Sequence, residues 1–151
     1  MANWISKFTS QPEDSAKHIR PLENARDLDP LLDIIGDSKY VLLGEASHGT
    51  HEYYTWRAEI SKRLIEEKGF SFVAVEGDWP DCFKINRWIK DHEGSPSTIK
   101  DVLGEFKRWP TWMWANWEIA AFAEWMKKYN SGLKDGKKIG FYGLDVYLSL
   151  I

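Results

Sequence analysis

Val41 to Arg57, VLLGEASHGTHEYYTWR, runs from an apolar stretch through a Gly-flanked polar loop into an amphipathic segment. That order predicts a buried strand from Tyr40 to Gly44, a turn and a helix to about Lys68, with Glu45, His48 and Arg57 held in one unit. A strand carried straight into a helix puts the intervening loop at the carboxyl end of a parallel sheet, where open α/β folds bind ligands. Thr50 is the expected cap of the helix and Gly69 its stop. Tyr53, Trp56, Ile60 and Leu64 recur at helical spacing and mark the expected face against the sheet. Arg57 falls on that stripe. A buried charge requires a partner, and helical side chains lean toward the helix N-terminus, which aims the guanidinium at Glu45 and His48.

The same order recurs downstream. Phe70 to Val75 reads as a strand, Glu76-Gly77-Asp78-Trp79-Pro80-Asp81 as a polar turn, and the segment after Pro80 as a helix to about Lys90. Ser97 caps a short predicted helix through Leu103. A longer one is expected from Trp112 to Tyr129, with Trp114, Trp117, Ala121, Phe122 and Trp125 on its apolar side. KIGFYGL, Lys138 to Leu144, is a third strand, ending at Asp145. Upstream, Asp29 and Pro30 open a short helix that Gly36 ends, and Met1 to Arg26 reads as an irregular arm. The expected fold class is α/β: three layers, a mainly parallel sheet with flanking helices. The arm occupies residues 1–26, and residues 27–151 are expected to form an incomplete domain.

A chain of 151 residues that is 43% hydrophobic can fill one core. Its net charge of −3 gives no basic surface for nucleic acid. Cys82 is the single cysteine, so no disulfide forms within the chain and an oxidising compartment is not implied. The charged N-terminal residues leave no apolar signal core, and no uncharged run is long enough to span a bilayer. The cytoplasm is therefore the expected location, with neither nucleic acid nor membrane as a partner. Nine tryptophans supply large apolar surfaces suited to a core or to an apolar ligand pocket.

Three predicted strands end in VLLGEASH, VAVEGD and FYGLD, which brings Glu45, His48, Glu76, Asp78 and Asp145 to one edge of one sheet. Carboxylates crowded beside an arginine are the mixture that acid-base chemistry requires. His48 is the natural proton shuttle, with Glu45 and Glu76 as orienters or bases. Ser47 lies in GEASHG, which is not a G-x-S-x-G elbow, so activated water is the expected nucleophile. Asp78 and Asp145 equally suit helix capping, and the tryptophans from Trp109 to Trp125 suit a core better than a pocket. His18, His51 and His92 read as surface residues and Cys82 as a packing residue. Glu45, His48, Glu76 and Asp145 could ligate a metal, but one histidine is weak evidence for that.

GEASHGTHEYYTWR, VAVEGDWPD, WPTWMWANWE and GFYGLDVY together resemble the erythromycin esterase-like family, which includes succinoglycan biosynthesis-related proteins. The resemblance spans about Asp27 to Tyr147. It implies a metal-independent hydrolase, without a cofactor, that opens macrolide lactones by activating water, so the implied partner is a small-molecule ester or lactone. It also implies His48 as general base, with Glu45, Arg57 and Glu76 as its catalytic companions. Asp78, Asn116, Asp145, Trp112 and Trp114 become candidate substrate-binding residues.

Two departures qualify the match. Ala115 stands where family members often carry arginine, and Leu148-Ser149-Leu150-Ile151 leaves the family order. Family members are more than twice as long, so the expectation is an N-terminal portion holding half a site, weak or inactive alone. A fragment of this kind is expected to self-associate or pair with the missing C-terminal part. The alternative is a non-catalytic module that binds a small ligand, a haem or a metal.

Overall fold

The computed structural model describes residues 19–145. The chain divides into two compact units, one up to Gly36 and the other from Asp37 onward. His18, most of the predicted arm and Leu148 to Ile151 lie outside the described residues.

In the first unit, Asn24 and Asp27 form a reciprocal capping box at the start of a 3-10 turn, Ala25–Leu28. This turn leads into helix α1, Asp29–Ile35, which Gly36 ends at a φ of +53°. Asp29 thus stands inside the helix and Leu28 takes the cap position.

The second unit contains α2 (His51–Lys68), β1 (Phe72–Asp78), α3 (Trp79–Ile89), α4 (Ile99–Gly104), α5 (Trp117–Ser131) and β2 (Gly140–Asp145). It is a mixed α/β unit around a parallel two-stranded sheet. Tyr40 to Gly44 makes no strand, contrary to expectation. Leu42 is 95% exposed and Tyr40 84%. An apolar run becomes a strand only where a neighbour completes its ladder, and no described strand pairs with this run.

Phe72 to Val75 pair in step with Gly140 to Gly143, and the register then shifts so that Asp78 meets Asp145. Three residues of β1 thus span two of β2, which puts a bulge at Glu76 and Gly77. Gly143 makes this approach possible: a Cβ there would lie 2.4 Å from the Gly77 carbonyl oxygen.

The core joins Tyr54 and Ile65 of α2, Ile85, Trp88 and Ile89 of α3, Val102 of α4, Phe122 and Met126 of α5, and Phe141 of β2. The fully buried residues of α2 are Tyr54, Leu64 and Ile65: Leu64 lies inward as predicted, Trp56 and Ile60 are half-buried, and Tyr54 takes the inward place predicted for the exposed Tyr53. Its C-terminus closes at Gly69 in the left-handed region, with the Phe70 amide donating to the Leu64 carbonyl. The predicted helix from Trp112 to Tyr129 is two elements: a 3-10 turn, Thr111–Met113, and α5. They separate at Asn116, whose side chain accepts from the Ile119 amide at 2.9 Å. Thr98, in place of Ser97, caps α4.

Two buried asparagines bind the helices to β2. Asn130 of α5 accepts from the Ile139 amide at 2.7 Å and donates to the Ile89 and Ile139 carbonyls. Asn86 of α3 accepts from the Phe141 amide at 3.2 Å. Among the described residues no helix is long and apolar enough to cross a membrane.

Candidate active site

The loop from Gly44 to Thr50 delivers Glu45 and His48 to the N-terminal end of α2. His48 Nδ1 contacts Glu45 Oε1. An ionised carboxylate only accepts, so in the neutral imidazole the proton of this bond sits on Nδ1 and leaves Nε2 a free lone pair. The Glu45 side chain is 11% exposed and that of His48 43%. The carboxylate is sheltered while the imidazole reaches solvent, an arrangement suited to taking a proton from water.

The second carboxylate oxygen of Glu45 lies 2.8 Å from Arg57 Nη2. Arg57 stands three residues after Tyr54 on the inward stripe of α2, so the helix itself returns its charge to the loop. The guanidinium sits 4.7 Å from the Tyr54 ring centroid and 5.7 Å from that of Trp114. Each such cation-π contact is worth about 0.5–2 kcal/mol, more where water is excluded. The Tyr54 phenol is held above its ordinary value of 10.0, first by burial and then by the Glu45 charge. It stays protonated.

Trp114 ties this cluster to the sheet. Its Nε1 donates to the Glu76 carbonyl oxygen at 2.7 Å, at the bulge of β1. Gly77 lies beneath the indole, where a Cβ would stand 2.8 Å from Nε1. The Glu76 side chain is exposed at the carboxyl end of the strand, where it helps line an open cleft with Asp78, Asp81, Arg108, Trp109, Met113 and Trp114.

Glu45, His48 and Arg57 thus come together as a contacting set, and Glu76 joins through its backbone. Asp78 and Asp145 meet across the strands, where their charges, after burial and Asp81, help push the Cys82 thiol up to about 12. Trp112 packs over the loop, its ring 3.2 Å from where a Gly49 Cβ would stand. Asn116 spends its amide on the α5 cap and on the Trp112 and Met113 carbonyls. Among the described residues no group of three or more His, Cys, Asp or Glu is arranged to hold a metal ion.

Two features escaped the sequence reading. Tyr54 was hidden by its neighbour Tyr53, since either aromatic satisfies a helical stripe. His51, read as a surface residue, contacts Glu118 of α5 through Nδ1. The hydrogen bond from His51 is the main cause holding the Glu118 carboxyl below its ordinary 4.5. Nothing local signals a pair separated by 67 positions.

The family model described as erythromycin esterase matches residues 65–150. An Escherichia coli protein described as erythromycin esterase type II is 33% identical over 135 residues, covering 86% of this chain and 30% of that protein. A crystal structure described as a succinoglycan biosynthesis protein superposes with a TM-score of 0.66 at 35% identity, covering 83% of this chain and 31% of the other. A Bacillus cereus protein structure gives 0.64 at 28% identity, over 83% and 28% of the two chains. The chain therefore spans about a third of the length of these relatives.

Proposed function

The chain belongs to the erythromycin esterase family, and on that premise we propose that it carries the proton-transfer half of a hydrolase site acting on a cyclic or open ester. The contacting set of Glu45, His48 and Arg57 is the observation that carries this reading. In the proposed reaction His48 Nε2 takes a proton from water as the water oxygen bonds to the ester carbonyl carbon. The carbon–oxygen bond to the alcohol then breaks, and the proton passes from His48 to the leaving oxygen. Glu45 keeps the imidazole in the required tautomer and balances the imidazolium as it forms. Arg57 holds the other oxygen of Glu45 at 2.8 Å and so anchors the carboxylate from its far side.

Glu76, Asp78, Asp145, Trp112 and Trp114 form the nearer wall of the substrate cleft in this reading. A macrolide lactone is the proposed substrate class, by analogy with the named E. coli relative. The proposed setting is a cytoplasmic three-layer α/β domain, of which the present two strands form part. The relatives are about three times as long as this chain, so the remaining wall is proposed to come from a part that they have beyond the matched segment, and the chain alone is proposed to turn over weakly.

The test is ring opening of a macrolide, read by mass as the gain of one water. The chain is compared with its His48→Ala variant, and any rate above buffer is expected to vanish in the variant. The decisive form places residues 19–145 into the corresponding segment of the E. coli relative. There His48→Ala is expected to cost about 10²- to 10⁴-fold, the usual contribution of a general base. A chimera indifferent to His48 overturns the proposal.

A further inference from the structure

The Glu45 and Arg57 charges meet at 2.8 Å, yet neither Oε2 nor Nη2 completes an aligned hydrogen bond, and both atoms are closed off from solvent. A guanidinium on a carboxylate is ordinarily oriented by paired N–H···O bonds. With that directional restraint missing, the orientation has to come from whatever else touches the guanidinium. Two rings do so, those of Tyr54 and Trp114. They stand edge to face, their centroids 6.0 Å apart and their planes at 76°, and so form two walls of a corner. Both walls are fixed: Tyr54 is 3% exposed, and Trp114 is tied to the Glu76 carbonyl.

We propose that Tyr54 is a positioning residue of this site. Its ring, with Trp114 as the second wall, sets the angle at which Arg57 meets Glu45 and so keeps the Glu45 carboxylate on Nδ1 of His48. The catalytic meaning of this role rests on the hydrolase reading; its geometry does not. The operative group is the ring. The Tyr54 hydroxyl is closed off from solvent without an aligned hydrogen-bond partner, although the Gly49 backbone and the Arg57 side chain lie close enough to pull its pKa down; Tyr54→Phe separates its share from that of the ring.

Nuclear magnetic resonance of the nitrogen-15-labelled 151-residue chain tests the role, with His48→Ala and Arg57→Met serving to assign the signals. In the unaltered chain the Arg57 side-chain protons are expected upfield of the other arginines, displaced by ring currents, and His48 is expected as the Nδ1-protonated tautomer. Arg57→Met and Tyr54→Leu should each convert His48 to a tautomer mixture, whereas Tyr54→Phe should leave the His48 and Arg57 signals in place. A Tyr54→Leu protein with an unchanged His48 tautomer overturns the proposal, as does a Tyr54→Phe protein that behaves like Tyr54→Leu. Should Tyr54→Leu fail to fold, the unaltered chain decides, because an Arg57 without upfield displacement is not held between rings. Neither readout uses turnover. A chain that passes both, in a chimera that opens no lactone, removes the hydrolase reading and leaves the positioning role in place.

Discussion

Trp114 Nε1 reaches the Glu76 carbonyl oxygen at 2.7 Å because residue 77 between the strand end and the indole is glycine. A Cβ at Gly77 would lie 2.8 Å from Nε1 and 3.0 Å from Cys82 Sγ. Gly77→Ala is therefore expected to displace the indole, break its hydrogen bond and cost about 1–3 kcal/mol, the usual penalty for overpacking. Urea unfolding followed by tryptophan fluorescence measures it. A variant within experimental error of the parent would show that the indole moves without cost.

Cys82 offers a chemical check on the same region. Its thiol is 1% exposed and is pushed up to about 12 by burial and the surrounding aspartates. Since the thiolate is the reactive form, the native chain is expected to resist a disulfide reagent at mildly alkaline pH and to react fully once urea unfolds it. Rapid labelling of the native chain would contradict both the burial and the shift.

Glu118 gives stability a dependence on pH. Its folded-state value is lowered below the ordinary 4.5, first through the hydrogen bond from His51. A depressed carboxyl contributes stability above its unfolded value and loses that contribution as pH falls through the folded one. Urea midpoints are expected to fall more steeply below pH 4.5 in the parent than in Glu118→Gln. Parallel curves would remove Glu118 from the account.

Asn130 is a buried polar side chain held by three hydrogen bonds. Asn130→Ala abolishes three hydrogen bonds and strands the Ile139 amide. With about 1–3 kcal/mol for each buried group left unpaired, a loss of roughly 3 kcal/mol is expected. Urea unfolding checks it, and a loss under about 1 kcal/mol would mean that water replaces the side chain.

The parts of the fold readable in the sequence were those fixed by local chemistry. Pro80 and Gly69 punctuate α2, β1 and α3 as expected, and the loop joining Glu45 to His48 and Arg57 follows from spacing alone. The Tyr40 to Gly44 strand failed because ladder partners are a property of the whole sheet. The long helix from Trp112 failed at Asn116, a capping residue that the surrounding tryptophans masked. The aromatic corner around Arg57 needed the helix phase, which Tyr53 and Tyr54 leave ambiguous by one residue.

Successive amides of a strand point to alternate sides. The Gly140 amide is taken by the Ser71 carbonyl at 3.0 Å, so the Ile139 and Phe141 amides face away from β1. Those are the two amides that Asn130 and Asn86 accept. Helical side chains thus stand where the next strand would bond, and the sheet is closed on the outer flank of β2 at its start. At the start of β2 the ladder positions that a further strand would need are already occupied, whereas no other described strand lies along β1.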